Sequence, residues 1–181
     1  MHVLITPRLT MRPPAYPDAE DIALWLSDPT VARMLGPVPH PYASTDAVEW
    51  IDNVRRRPLD LVNTIHRERL IGVVSIEDVA EAPRLGYWLA APWHGRGFMT
   101  EAARHLLVHA FVDRGLPAVR SWVFADNPAS LRVQQKLGFT VTGRGETWCR
   151  SRQEDVPTWT TELTAEAFAA AELEHRHKAA A

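Results

Sequence analysis

The sequence predicts an α+β fold in which helices flank a mixed sheet. Two periodicities carry this expectation. Segments 59–66, 70–79, 84–90, 119–124, 139–149 and 156–163 are rich in β-branched residues and read as strands. Segments 98–114 and 127–138, and shorter ones after Pro17 and Ser44, carry apolar residues at helical spacing. A third observation is the punctuation: the polar stretches Arg67-Glu68-Arg69 and Ser151–Asp155 fall between strands, where antiparallel neighbours turn.

In chain order, Leu9–Pro13 alternates and then meets Pro13-Pro14, which marks a short edge strand. Pro17-Asp18 opens a helix whose apolar face is Ile22, Leu24, Trp25 and Leu26, closed by Asp28-Pro29. A short helical piece spans about 30–35, and the prolines of Gly36–Pro41 exclude regular structure after it. Ser44 is suited to cap a third helix with Val48, Ile51 and Val54 inward. That helix ends in Arg55-Arg56-Arg57, where cations suit the dipole. Two strands then form a hairpin about residues 67–69, and a further strand, Arg84–Ala90, stops at Ala91-Pro92. Phe98, Ala102, Leu106 and Ala110 stripe a long helix that Gly115 closes. Asn127 caps the next helix, Pro128 sits where its missing N–H costs nothing, and Gly138 stops it. The last two strands form a closing antiparallel pair, and the tail from Ala165 is helix-prone, with fraying expected over 175–181. No repeat or linker divides the chain, so residues 1–181 are expected to form one domain.

Composition narrows the class. With 20 Lys+Arg against 22 Asp+Glu the formal net charge is −2, which gives no electrostatic basis for nucleic-acid binding. No apolar run approaches the roughly 20 residues that span a bilayer, and no apolar signal-peptide core opens the chain. Cys149 is the only cysteine, so neither a disulfide framework nor a cysteine zinc cluster is expected, and no metal site. The expected setting is the cytoplasm. Against seven tryptophans and 14 prolines stand only 9 glycines, so where each glycine falls is informative.

Two of them, Gly95 and Gly97, lie between a strand and the long helix, in Pro92-Trp93-His94-Gly95-Arg96-Gly97-Phe98-Met99-Thr100-Glu101. In such a turn, backbone N–H groups and the helix's first turn converge on an anion, and Arg96 adds charge at the rim. A plain strand-to-helix turn would use glycines in the same way. A dinucleotide fingerprint is excluded because Thr100 stands at the third glycine position, and no Gly-Lys-Ser/Thr follows to make a P-loop. Further on, Asn127 and Ser130 stand on the first turn of a helix, as a capping pair or as site residues.

Taken together, these segments resemble the GNAT superfamily of acetyl-coenzyme A-dependent N-acetyltransferases, in particular the ribosomal-protein (RimJ/RimL) type. The resemblance rests on Arg8–Pro13, Trp25–Pro29, Gly86-Tyr87-Trp88-Leu89, the glycine loop with Thr100-Glu101-Ala102, and Asn127–Phe139, in that order and spacing. It implies a mostly antiparallel sheet with one splayed parallel pair of strands. The family's loop pattern falls on His94, Gly95, Arg96, Gly97, Phe98 and Met99, with His94 and Met99 departing from it. A third departure is Gln134, where the wider superfamily often has a tyrosine acid.

The resemblance implies acetyl-coenzyme A as cofactor. Its pyrophosphate would lie on His94, Gly95, Arg96, Gly97, Phe98, Met99 and Thr100, and its pantetheine on Tyr87, Trp88, Leu89, Asn127 and Ser130. A strand amide would meet the charge gained by the thioester carbonyl, and Ser130 would stand near the sulfur. For the base, Glu77 and Asp78 end a strand facing the expected acceptor cleft, although solvated turn residues would look the same; His66 is a weaker candidate. Glu101 and Cys149 read as structural, Trp25, Trp50 and Trp122 as core, and Trp148 and Trp159 as walls of the acceptor site. The acceptor implied is a primary amine, a protein N-terminus or a small amine such as an antibiotic or polyamine, attacking directly in a ternary complex. A binding module that senses acyl-coenzyme A without turnover is the competing reading, and a homodimer is compatible with either.

Overall fold

The computed structural model describes residues 3–180. An eight-stranded sheet runs in the order β1-β2-β3-β4-β5-β6-β8-β7. Its strands are β1 (Leu4–Ile5), β2 (Thr10–Arg12), β3 (Leu61–His66), β4 (Leu70–Glu77), β5 (Arg84–Leu89), β6 (Ala118–Phe124), β7 (Thr140–Cys149) and β8 (Glu154–Thr164). Every neighbouring pair is antiparallel except β5 and β6, which run parallel and meet only at Arg84↔Arg120. The mixed α+β architecture with one splayed parallel pair is the one expected.

Helices cover both faces, since each face of the sheet must bury its apolar side chains. On one face, α4 (Phe98–Val108), α5 (Pro128–Lys136) and α6 (Ala165–Ala180) lie over the sheet. There Leu85, Leu89, Met99, Leu106, Val119, Leu137, Leu163 and Phe168 form the larger core. On the other face, α1 (Ala19–Leu26), α2 (Pro29–Ala32) and α3 (Ser44–Arg55) enclose a second core. It holds Ile22, Leu26, Ile51 and Leu70, with Trp25, Trp50 and Trp88 against it. Among the described residues no helix is long and apolar enough to cross a membrane.

Several local expectations change. The first strand is not at the edge, because Leu4–Ile5 pair outside it. Ser44 is the first helical residue of α3 rather than its cap: Ala43 holds the cap position, and its N–H donates to Asp46 Oδ2 at 2.8 Å. This moves the buried stripe of α3 to Ala47 and Ile51 and leaves Val48 exposed. The long helix leaves α geometry after Val108 and ends in a π turn, His109–Asp113. The tail is helical through Ala180, and Ala181, the end of the run expected to fray, lies outside the described residues.

Candidate active site

The splay between β5 and β6 has a definite cause in buried polar side chains. The Arg84↔Arg120 pairing, with Arg120 N donating to Pro83 O at 2.8 Å, holds the strands together at their closed end. At the next step Leu85 O receives the Ser121 hydroxyl, at 2.8 Å, instead of a backbone N–H. Gln134 Nε2 donates to Ser121 Oγ at 2.9 Å, and Thr161 Oγ1 donates to Gln134 Oε1 at 2.8 Å. All three side chains are buried, and a buried polar chain persists only when its members are paired. Gln134 therefore stands in the wall of the cleft, with both ends of its amide paired there.

Beyond this wedge β5 has a free edge. Gly86 and Trp88 pair with Ser75 and Val73 of β4, so strand alternation turns the N–H and C=O of Tyr87, and the N–H of Leu89, into the cleft. Leu89 O is taken by His94 Nε2, 2.7 Å away. This arrangement gives two of the expected residues other contacts. The His94 ring ties the loop to β5. Trp88 has its backbone on β4 and its indole in the α1–α3 core, away from the cofactor side.

The glycine loop makes an anion seat. Gly95 and Gly97 have φ of 73° and 78°, the left-handed region that side chains resist. Gly97 is the N-cap of α4, and no side chain caps it. Among the described residues nothing accepts a hydrogen bond from the amides of residues 95–100; the first helical bond is Glu101 N to Gly97 O. A run of unpaired amides on a helix N-terminus fits an extended diphosphate. Phe98 and Met99 have buried side chains in the main core, so only their amides face this seat.

The N-terminal strands brace the loop from behind. Arg8 Nε pairs with Glu101 Oε2 at 2.6 Å, Arg8 NH1 donates to Arg96 O at 3.1 Å, and its guanidinium stacks on Phe98. The Thr6 hydroxyl donates to Glu101 Oε1 at 2.6 Å. Burial raises the Glu101 carboxyl, but the bonds from Thr6 and Arg8 outweigh it and hold the group below its ordinary value. Glu101 is thus part of the brace.

Across the cleft, Asn127 Oδ1 accepts from Ser130 N at 3.0 Å and caps α5. Tyr87, on β5, reaches over to that same turn: its hydroxyl lies 2.8 Å from Ser130 Oγ and 3.0 Å from Ser130 O. Burial pushes the Tyr87 hydroxyl up to about 12, against the opposing hydrogen bonds to Ser130 and Gln134. The sequence singled out Tyr87 for its strand position alone. Its contact with Ser130, 43 residues away, has no local signal.

The opposite face of the sheet carries Ser75 and Glu77, which point to the α1–α3 side with Trp88. Ser75 Oγ donates to Glu77 Oε1 at 2.8 Å, which draws the carboxylate back along β4 toward the splay, opposite Gly86. Asp78 is separated from it. It sits in a turn at φ 54° and is paired with Arg84 at 3.0 Å and Arg57 at 3.3 Å. His66 lies toward the far end of β3, bonded to Thr64 Oγ1, and burial holds its ring below the ordinary value. Cys149 is fully buried behind Phe124 and Val156. Of the tryptophans, Trp122 packs beside that cluster on the α1–α3 side. Pairing of Val123 with Trp159 and of Trp159 with Arg144 turns Trp159 to the α5 face, so it is no wall of the acceptor side.

The model for the family described as "Acetyltransferase (GNAT) domain" matches residues 8–140. The "Putative ribosomal N-acetyltransferase YdaF" of Bacillus subtilis is 28% identical over 110 residues, which is 57% of this chain and 58% of that protein. Among solved structures, a ribosomal-protein-S5-alanine acetyltransferase from Vibrio fischeri superposes with a TM-score of 0.78 at 18% identity, covering 91% of this chain and 97% of that one. RimJ of Mycobacterium smegmatis, in complex with CoA-disulfide, superposes with a TM-score of 0.75 at 21% identity, covering 91% and 89%. At these identities the two structures speak to the fold.

Proposed function

The chain belongs to the GNAT acetyltransferase family, and on that premise we propose that it moves an acetyl group from acetyl-coenzyme A to the N-terminal amine of a protein, by direct attack in a ternary complex. One observation carries the reading: Tyr87 and Ser130 stand on one side of the splayed strands, and Glu77 stands on the other. An amine can then approach from one face while the sulfur departs on the other.

The amides of residues 95–100 hold the pyrophosphate, with Arg96 at the rim. The free edge of Tyr87 and Leu89 pairs with the pantetheine amides as an added strand would, and Asn127 meets them from α5. Acetyl-coenzyme A supplies an activated thioester. A β5 amide offers a preorganised donor to the charge that its carbonyl gains. Glu77 takes the proton of the attacking amine, directly or through water, and Ser130 hydrogen-bonds the sulfur.

For the acceptor, one electrostatic contrast singles out Glu77 beside its neighbour. Asp78 and Asp126 are each answered by two arginines, Arg57 and Arg84, and Arg33 and Arg152. Among the described residues Glu77 has no ion-pair partner, so its carboxylate is open to an ammonium. The ribosomal names of two similar proteins favour a protein α-amine over a polyamine. The test is release of coenzyme A thiol with a panel of amines. A peptide with a free N-terminus is expected to support turnover, and the same peptide N-blocked to give none. Turnover with spermidine or a small amine alone would overturn the acceptor class. A melting-temperature rise with acetyl-coenzyme A but no turnover across the panel would favour the acyl-coenzyme A sensor.

A further inference from the structure

Gln134 occupies the place where the wider superfamily often has a tyrosine acid, and its amide bonds Ser121 and Thr161. The site nevertheless holds a phenol. Tyr87 Oη, on the opposite strand, lies 2.8 Å from Ser130 Oγ. We infer that Tyr87 is a positioning residue that fixes the direction of the Ser130 proton toward the leaving sulfur. The inference rests on the acetyl-coenzyme A reading above.

Tyr87 has a single proton and two oxygens of Ser130 within reach, Oγ at 2.8 Å and the carbonyl at 3.0 Å. The carbonyl can accept the phenol proton beside its helical bond, and at Oγ either atom can donate. A thiolate only accepts, so once it forms beside Ser130 the arrangement that satisfies it has Ser130 donating to sulfur and Tyr87 donating to Oγ. A serine oxygen that accepts from Tyr87 keeps its own proton for a third party. The backbone around it cannot turn away, because Asn127 Oδ1 holds the Ser130 amide at 3.0 Å. Burial keeps the Tyr87 hydroxyl protonated throughout the neutral range, so this polarity does not reverse with pH. Hydrogen bonds arranged in series also polarise one another, which strengthens the outer one.

In the transfer itself the amine nitrogen forms the new C–N bond and the C–S bond breaks, its electron pair going to sulfur. The proton lost by the amine goes to the Glu77 carboxylate or to water. Neither Tyr87 nor Ser130 gives up a proton: Ser130 donates a hydrogen bond to the thiolate, Tyr87 donates one to Ser130, and the thiolate is protonated by solvent on release.

The experiment uses the whole chain with coenzyme A and with desulfo-coenzyme A, which lacks the sulfur. Ionisation of the bound thiol is followed by the ultraviolet absorbance of the thiolate, and affinity by calorimetry. A hydrogen bond to a charged acceptor is expected to lower the bound thiol's pKa by about one unit, a tenfold change in ionisation. Tyr87→Phe is expected to remove most of that shift and to leave desulfo-coenzyme A affinity within about twofold. Ser130→Ala is expected to do the same, and the double variant to go no further than Ser130→Ala, since Tyr87 acts through Ser130. An unchanged thiol pKa in Tyr87→Phe, an additive double variant, or equal weakening of both ligands would overturn the inference. Failure of the unaltered protein to bind either ligand would instead overturn the cofactor reading on which it rests.

Discussion

Replacing Gln134 by leucine removes the centre of the buried chain that opens the cleft. Two hydrogen bonds are lost, from Thr161 Oγ1 at 2.8 Å and to Ser121 Oγ at 2.9 Å. Each contributes about 1 kcal/mol net. The two losses differ in kind. Ser121 still donates to Leu85 O, so its hydroxyl keeps one partner. Thr161 is 2% exposed and is left with a hydroxyl proton facing leucine, which adds about 1–2 kcal/mol for a stranded buried donor. The sum is about 3–4 kcal/mol. In a domain of this size each kcal/mol lowers Tm by about 2–4 °C, so thermal unfolding should fall by about 6–16 °C. The decisive companion is Gln134→Leu with Thr161→Val, which leaves no stranded donor and should be more stable than Gln134→Leu alone. A single variant within about 0.5 kcal/mol of the parent protein, or a double variant whose loss is the sum of the two single ones, would refute the reasoning.

Glu77→Gln is expected to lower kcat by about 10²-fold or more with little change in KM for acetyl-coenzyme A, whereas Asp78→Asn should leave kcat within about threefold; steady-state kinetics separates them, and equal effects would remove Glu77 as the base. Acid stability should depend on the brace behind the loop. Because the folded-state pKa of Glu101 lies below its ordinary carboxylate value, its contribution is complete above that ordinary value and is lost as pH falls through the lower folded value. Glu101→Gln should therefore lose stability at neutral pH and show a shallower decline below about pH 4.5, read by denaturant midpoints across pH; an unaltered acid limb would contradict this.

What was legible in the sequence and what was not divide along physical lines. Periodicity is local, so the long strands and helices were readable from their burial patterns, and the glycines before α4 were readable because a strand-to-helix turn demands positive φ at Gly95 and Gly97. The two-residue strand Leu4–Ile5 is too short to show alternation, and half of it is exposed. At α3 both Ser44 and Asp46 could mark a helix start, and the reach of Asp46 back to Ala43 N decided the frame. Glu77 and Asp78 are adjacent and chemically alike, and only the turn that takes Asp78 to φ 54° gives it to two arginines. The wedge was the least legible feature, since Ser121, Gln134 and Thr161 come from three elements and meet only through the tertiary fold. The same is true of Tyr87 and Ser130.

On the proposed function, amine and thioester meet in one complex, on opposite faces of the splayed strands, with no acyl-enzyme between them. Initial rates of thiol release, measured while acetyl-coenzyme A and an N-terminal peptide are both varied, test it most directly. Double-reciprocal lines that intersect, with no burst of thiol when the peptide is omitted, are the result expected. Parallel lines, or a stoichiometric burst without acceptor, would contradict the account.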